Sequence, residues 1–257
     1  RFAEPNYILK ANAVDENTYE DMSAQQWGLA NRRQNHADLN IAPLYQSGEK
    51  GSEEVVVAVI DSGIDATHPD LAPQMWDRGL DYPELAAMGG GAYGMVTNAN
   101  YDDTRNTSDD NGHGTHCAGV IGASWNSQGT QGVCADLRLM ALKYLDQNGN
   151  GNVGWAVRAY AYLSKACDLG VNLRAVNNSW GGVYISSAVR AAVDELGKKG
   201  VVSVFSSGNN AQNTDENPRT SLSSAQSPYA LNVNAMDEYG RPASFSNYGA
   251  YSTDIYA

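Results

Sequence analysis

The chain has 257 residues, 42% of them hydrophobic, enough to bury a large core in one α/β domain or in two smaller ones. Its formal net charge of −12 excludes a general nucleic-acid or anionic-membrane binder, because both need a basic face to displace counterions. Cys117, Cys134 and Cys167 are too few and too scattered for a disulfide framework and form no C-x-x-C pair, so they are expected to be buried thiols.

No apolar run approaches the roughly 18 residues needed to span a bilayer. The first ten residues, RFAEPNYILK, lack a signal-peptide pattern, so export would mean that a signal has already been removed. Internal repeats and low-complexity tracts are absent from the sequence.

In chain order, the first strong signal is 53–60 (EEVVVAVI), a nearly continuous β-branched run that suits a strand buried on both faces. It leads directly into Asp61-Ser62-Gly63-Ile64-Asp65. A polar, Gly- and Asn-rich loop over 89–112 follows, and a helix is predicted to begin near Gly112. Residues 137–145 (LRLMALKYL) read as a strand, 146–152 as a loop, and 153–168 as a helix. The strand predicted over 173–177 exits through Asn178-Ser179-Trp180-Gly181-Gly182. The clearest helix is 185–196, where Ile185, Ala188, Val189, Ala192, Val193 and Leu196 share one face and Gly200 can end the element. Strands at 201–205 and 230–235 flank a long loop over 207–228. Alternating strands and helices imply right-handed βαβ units in a mostly parallel, doubly wound α/β sheet with helices on both faces. Ligands of such sheets bind beyond the carboxyl ends of the strands.

Three candidate features stand out, two of them at those ends and the third at the start of a helix. Asp61 closes the first buried strand, where a carboxylate keeps its charge only beside a donor or a cation. Ser206-Ser207-Gly208-Asn209-Asn210 follows the 201–205 strand, with a glycine that admits a ligand to the backbone and an amide that can meet an oxyanion. The third is Asp109 to Gly119, DDNGHGTHCAG, with His113 and His116 three residues apart. As a zinc site it lacks both HExxH and any Cys/His spacing typical of closed centres. As a turn, its glycines are explained but its pairing with an Asp-tipped strand is not. As a proton-transfer site, His113 would face Asp61 with one ring nitrogen and substrate with the other, and His116 would be a packed, hydrogen-bonded neighbour.

Together the motifs VVVAVIDSGIDATHPDL (55–71), NGHGTHCAGVIGA (111–123), NNSWGG (177–182) and SSGNN (206–210) resemble the subtilisin-like serine proteases of the proteinase K and subtilisin type. The resemblance runs from about Gln25 to the last residue. It implies a serine endopeptidase acting through an acyl-enzyme, with Asp61 as the triad aspartate, His113 as the general base and Asn209 as an oxyanion donor. It also implies that peptide substrates add as a strand between Ser179-Trp180-Gly181 and the loop 145–151, so Gly149 and Gly208 join the binding residues. Calcium is implied as a structural cofactor, held by Asp70 and by Ser124, Asn126, Gln128 and Thr130. Residues 1–24 resemble a propeptide tail preceding a catalytic domain over 25–257, which implies a secreted, extracellular protein that can also bind its own propeptide.

The family's GTSMA-type nucleophile motif is not in this sequence. Ser221, Ser223 and Ser224 lack the Gly-x-Ser context, so none of them is assigned the role. The expectation is a catalytic domain lacking its C-terminal part, with the serine on a segment or fragment following Ala257. The alternative is an inactive relative that binds peptides or regulates. Asp109 and Asp110 raise a further expectation, a preference for basic residues near the scissile bond.

Overall fold

The structure, a computed structural model, describes residues 25–31, 37–181, 186–216 and 227–257. The propeptide expectation over 1–24, the start of the 185–196 helix at Ile185, and Ser221, Ser223 and Ser224 lie outside these residues.

Seven strands form one sheet in the order β2-β3-β1-β4-β5-β6-β7, and every adjacent pair is parallel. They are β1 (Gly51–Asp61), β2 (Gly94–Val96), β3 (Asp136–Lys143), β4 (Leu173–Asn178), β5 (Val202–Ser206), β6 (Ala230–Asn234) and β7 (Ile255–Tyr256). The chief helices are α3 (His113–Gly122), α4 (Val153–Asp168) and α5 (Ser187–Gly197), with short α1 (Ala42–Ser47) and α2 (Pro83–Ala87).

β1 explains the arrangement. Successive side chains point to opposite faces of a strand, so a run without polar interruptions supplies two cores at once. Ala58 and Ile60 pack on one side with Tyr160 and Leu163 of α4 and Val189, Val193 and Leu196 of α5. Val59 packs on the other with Leu139, Ala141 and Ala118 of α3. Full burial of each such aliphatic side chain contributes about 1.5–3 kcal/mol, which favours β1 in the centre and helices on both faces. Winding reverses there: the chain builds β2 and β3 on one side of β1 and β4 onward on the other. The switch point between β1 and β4 is where a crevice forms beyond the strand ends.

Several boundaries differ from expectation for local reasons. The last long helix begins at Ser187 because the Ser186 hydroxyl accepts the Val189 amide at 3.2 Å and caps it. Helix α4 is capped likewise by Asn152, which accepts from the Trp155 amide. β3 stops at Lys143 instead of 145, since the Tyr144 and Leu145 amides both turn back to the Asp61 carbonyl, at 2.8 and 3.0 Å. Strands β2 and β7, of three and two residues, were not anticipated. All three cysteines are partly exposed, not buried as expected. Among the described residues no helix is long and apolar enough to cross a membrane.

Candidate active site

Asp61 is the last residue of β1 and is 0% exposed. Donors offset the cost of burying its charge: the Ser62 amide lies 2.7 Å from Oδ1, and His113 Nδ1 lies 2.8 Å from Oδ1 and 3.0 Å from Oδ2. An ionised carboxylate can only accept, so this geometry places a proton on Nδ1 and, in the neutral ring, leaves Nε2 as the acceptor. The His113 side chain is 36% exposed, so the ring bridges the buried acid and the surface.

His113 opens α3, and Gly114 lets that helix sit against the end of β1. A Cβ at Gly114 would lie 2.1 Å from the Gly63 carbonyl oxygen and 3.0 Å from Asp61 Cβ. The Gly114 amide instead donates to Ser62 Oγ at 2.9 Å. Asp109 closes the preceding turn: Oδ1 accepts from the Asn111 and Gly112 amides, and Oδ2 from the Thr115 amide and hydroxyl. Burial works against the Asp109 charge, yet these bonds outweigh it and hold the carboxyl below its ordinary range.

The Asp61 hydrogen bond, followed by the Cys117 thiol, raises the His113 imidazole well above its ordinary 6.5. Cys117 Sγ lies 4.0 Å from His113 Nδ1. Burial opposes its ionisation, but the two histidines outweigh that and lower the thiol. Among the described residues, Asp61, His113 and Cys117 form the group whose ligand atoms approach closely enough to hold a metal, within 4.8 Å of one another. The set weighed from sequence, His113 and His116 with Asp109 or Asp110, is not assembled. His116 is exposed, not packed as expected, because α3 turns that side outward.

The other predicted residues fall into separate places. Ser179, Gly208 and Asn209 line one crevice of about 270 Å³ at the carboxyl ends of β4, β5 and β6, together with Asn177, Asn234 and Ala257. Asn177 Nδ2 and Asn234 Oδ1 are buried there without hydrogen-bond partners. The Trp180 ring packs between Tyr144 and Phe205, with centroids 4.8 and 5.8 Å away, so its side chain faces inward. Gly181 is exposed. Gly149 lies in a compact turn, its amide on the Asp146 carbonyl at 2.8 Å, while Asp146 Oδ1 accepts the Asn148 and Asn150 amides.

Asp70 is 1% exposed. Its Oδ1 accepts from Asn126 Nδ2 at 2.9 Å, and Oδ2 is buried without a hydrogen-bond partner. Gly129 adopts φ +54°, and a Cβ there would come within 2.3 Å of Oδ2. Such an orphaned carboxylate oxygen in a cradle kept clear by glycine fits a hard cation. Ser124 contributes differently from expectation, since its hydroxyl donates to the Asp70 carbonyl and accepts from Gln74. Gln128 and Thr130 lie on the same loop with exposed side chains.

Sequence reasoning missed Lys143 and its partners. Lys143 is 2% exposed, and its Nζ lies 2.5 Å from both the Ser62 carbonyl oxygen and Asp110 Oδ1. Tyr101 donates to Asp110 Oδ2 at 2.7 Å, and burial followed by that carboxylate pushes the phenol up to about 12. Asp110 is thus paired with a cation within the fold, while Asp109 is bound by backbone amides and Thr115. The available signal was a lysine directly following the apolar run 139–142 of β3.

The fold and this site define a doubly wound α/β protein carrying a buried carboxylate–imidazole pair at its switch point. More particularly, the chain belongs to the subtilase family: residues 52–257 match the family model. It is 32% identical over 252 residues to a thermophilic serine proteinase of Bacillus sp. (strain AK1), covering 97% of this chain and 53% of that protein. Subtilisin E of Bacillus subtilis (strain 168) is 32% identical over 214 residues, 83% of this chain and 49% of that protein. Proteinase R of Parengyodontium album is 29% identical over 261 residues, with coverage of 100% and 55%. The chain therefore spans about half the length of these relatives.

Proposed function

We propose that the chain carries the Asp–His half and the oxyanion donor of a secreted serine endopeptidase. The observation that carries this reading is the 2.8 Å contact between His113 Nδ1 and the fully buried Asp61, with the imidazole ring still reaching the surface. His113 Nε2 takes the proton of a serine hydroxyl as the oxygen bonds to the substrate carbonyl carbon, and then returns it to the leaving amine. Asp61 holds the tautomer and stabilises the imidazolium. Asn209 donates its side-chain amide to the oxyanion, and water completes the cycle by hydrolysing the acyl-enzyme. The serine comes from a segment or chain that follows Ala257.

Substrate enters as an added strand between the backbones of 179–181 and 145–151, with Gly149 and Gly208 allowing close approach. The inward-packed Trp180 supports this, because it leaves main chain as the contact surface. Residues 25–257 make up the catalytic domain and 1–24 the end of a propeptide. Calcium, when bound, would cross-link the Asp70 turn to the loop of Ser124, Asn126, Gln128 and Thr130, through carboxylate, amide and carbonyl oxygens.

The test is hydrolysis of a peptide amide by the full-length protein together with labelling by a fluorophosphonate, which reacts only with an activated serine. The wild type should do both and His113→Ala neither. Peptide binding by a wild type that neither labels nor cleaves would replace the peptidase with an inactive, peptide-binding relative.

A further inference from the structure

A fully buried ammonium is stable only among acceptors or π faces, and the groups around Lys143 are not arbitrary. Lys143 stands in register with Asp61 across the β1–β3 pair. Its two acceptors belong to the two arms of the site. Ser62, through its own amide and hydroxyl, touches Asp61 Oδ1 and the Gly114 amide. Asp110 lies three residues before His113. The Tyr101 ring completes the cage, its centroid 4.7 Å from Nζ.

The second bonds of these groups run outward in one direction. Asp110 Oδ2 accepts the Tyr101 hydroxyl, and that hydroxyl accepts the Gln147 amide at 3.1 Å. Asn111 Nδ2 donates to the Gln147 carbonyl at 2.9 Å, so Gln147 is held at both ends of its backbone by the segment that leads to His113. A lysine buried only for packing would need acceptors anywhere; these span both arms of the Asp–His pair and continue into the loop 145–151. The geometry points to Lys143, Asp110 and Tyr101 as a positioning cluster that fixes the separation between the Asp61–His113 pair and the loop 145–151. It rests on the peptidase reading for the ligand, a peptide strand, that the loop receives.

The experiment compares full-length wild type with Tyr101→Phe, Asp110→Asn and Lys143→Met. Readouts are kinetics on an extended peptide amide and on a single-residue ester, and ¹⁵N resonances of the His113 ring and the Gln147 amide. Tyr101→Phe keeps the ring against Lys143 but removes the hydroxyl that joins Asp110 to the Gln147 amide, so KM for the extended substrate should rise about 2- to 10-fold, the worth of the one hydrogen bond that reaches the loop, with a clearly smaller effect on the ester. Asp110→Asn should move the His113 ring signals and lower kcat on both substrates at temperatures where the variant is fully folded, and it should also lower the thermal midpoint, because the buried Lys143 ammonium loses its counter-charge. If Lys143→Met does not fold, the other two variants decide. Equal effects of Tyr101→Phe on both substrates, or unmoved His113 signals in Asp110→Asn, would overturn the cluster. A wild type without hydrolysis or labelling defeats the peptidase reading alone. The cluster would then still fall if Tyr101→Phe left the Gln147 amide shift and its exchange protection unchanged.

Discussion

Asp61→Asn tests the central contact most directly. The replacement keeps the volume of a side chain with no exposure, so packing is preserved and electrostatics are isolated. One carboxylate oxygen that accepts from both His113 and the Ser62 amide becomes part of a neutral amide. A hydrogen bond to a charged group contributes about 1.5–3 kcal/mol net, and that is the expected loss of stability in the range where the imidazole is protonated. The sign follows from linkage. His113 is raised above its ordinary 6.5 in the folded state, so its contribution is fully present below about pH 6.5 and fades as pH rises through the raised value. Urea unfolding of wild type and variant should therefore differ most at pH 6 and converge in alkali. Catalysis moves the opposite way, since the reaction needs the neutral ring. The acid limb of the wild-type kcat/KM profile should sit above 6.5 and fall to lower pH in Asp61→Asn. The amide also favours the wrong tautomer, so the plateau should drop by about 10⁴-fold. A His113 titration, followed by NMR, that is the same in both proteins would refute the assignment of Asp61 as the cause.

Gly114→Ala should cost about 1–3 kcal/mol in thermal unfolding, because a methyl group placed 2.1 Å from the Gly63 carbonyl must push α3 off β1. The same shift should lengthen the His113–Asp61 contact and lower kcat. Asn209→Ala should reduce kcat by about 10²–10³-fold with little change in KM, measured on a peptide amide. Chelation should lower the wild-type melting temperature, and Asp70→Ala should abolish that sensitivity. A variant that responds to chelator as the wild type does would place the calcium elsewhere.

The central strands were legible because a strand buried on both faces needs an apolar run: β1 carries an unbroken one and β3 a shorter one over 139–142, while β4 and β5, interrupted by Arg174 and Ser203, stand out as short β-branched segments between helical patterns. Asp61 and His113 stood out for a related reason: a charge at the tip of such a run and a glycine-led helix start are local patterns. β2 and β7 carry no such pattern, since two or three residues are ordered by their neighbours' hydrogen bonds. The Lys143 cluster was hidden differently. Its bonds join positions 81 and 33 apart in sequence, so nothing within a window of the chain records them. His116 shows the limit of spacing arguments, for i+3 on a helix says which turn a residue occupies but not whether another element covers it.

The hook at the end of β3 has a consequence for variation. Tyr144 and Leu145 reach the carbonyl of Asp61 through main-chain amides alone, so the hook itself does not depend on the identity of their side chains, which are held instead by the core. Only an imino acid, having no N–H to offer, would break the connection. A loop rooted in this way can be reshaped for new specificities while its anchor stays chemically constant.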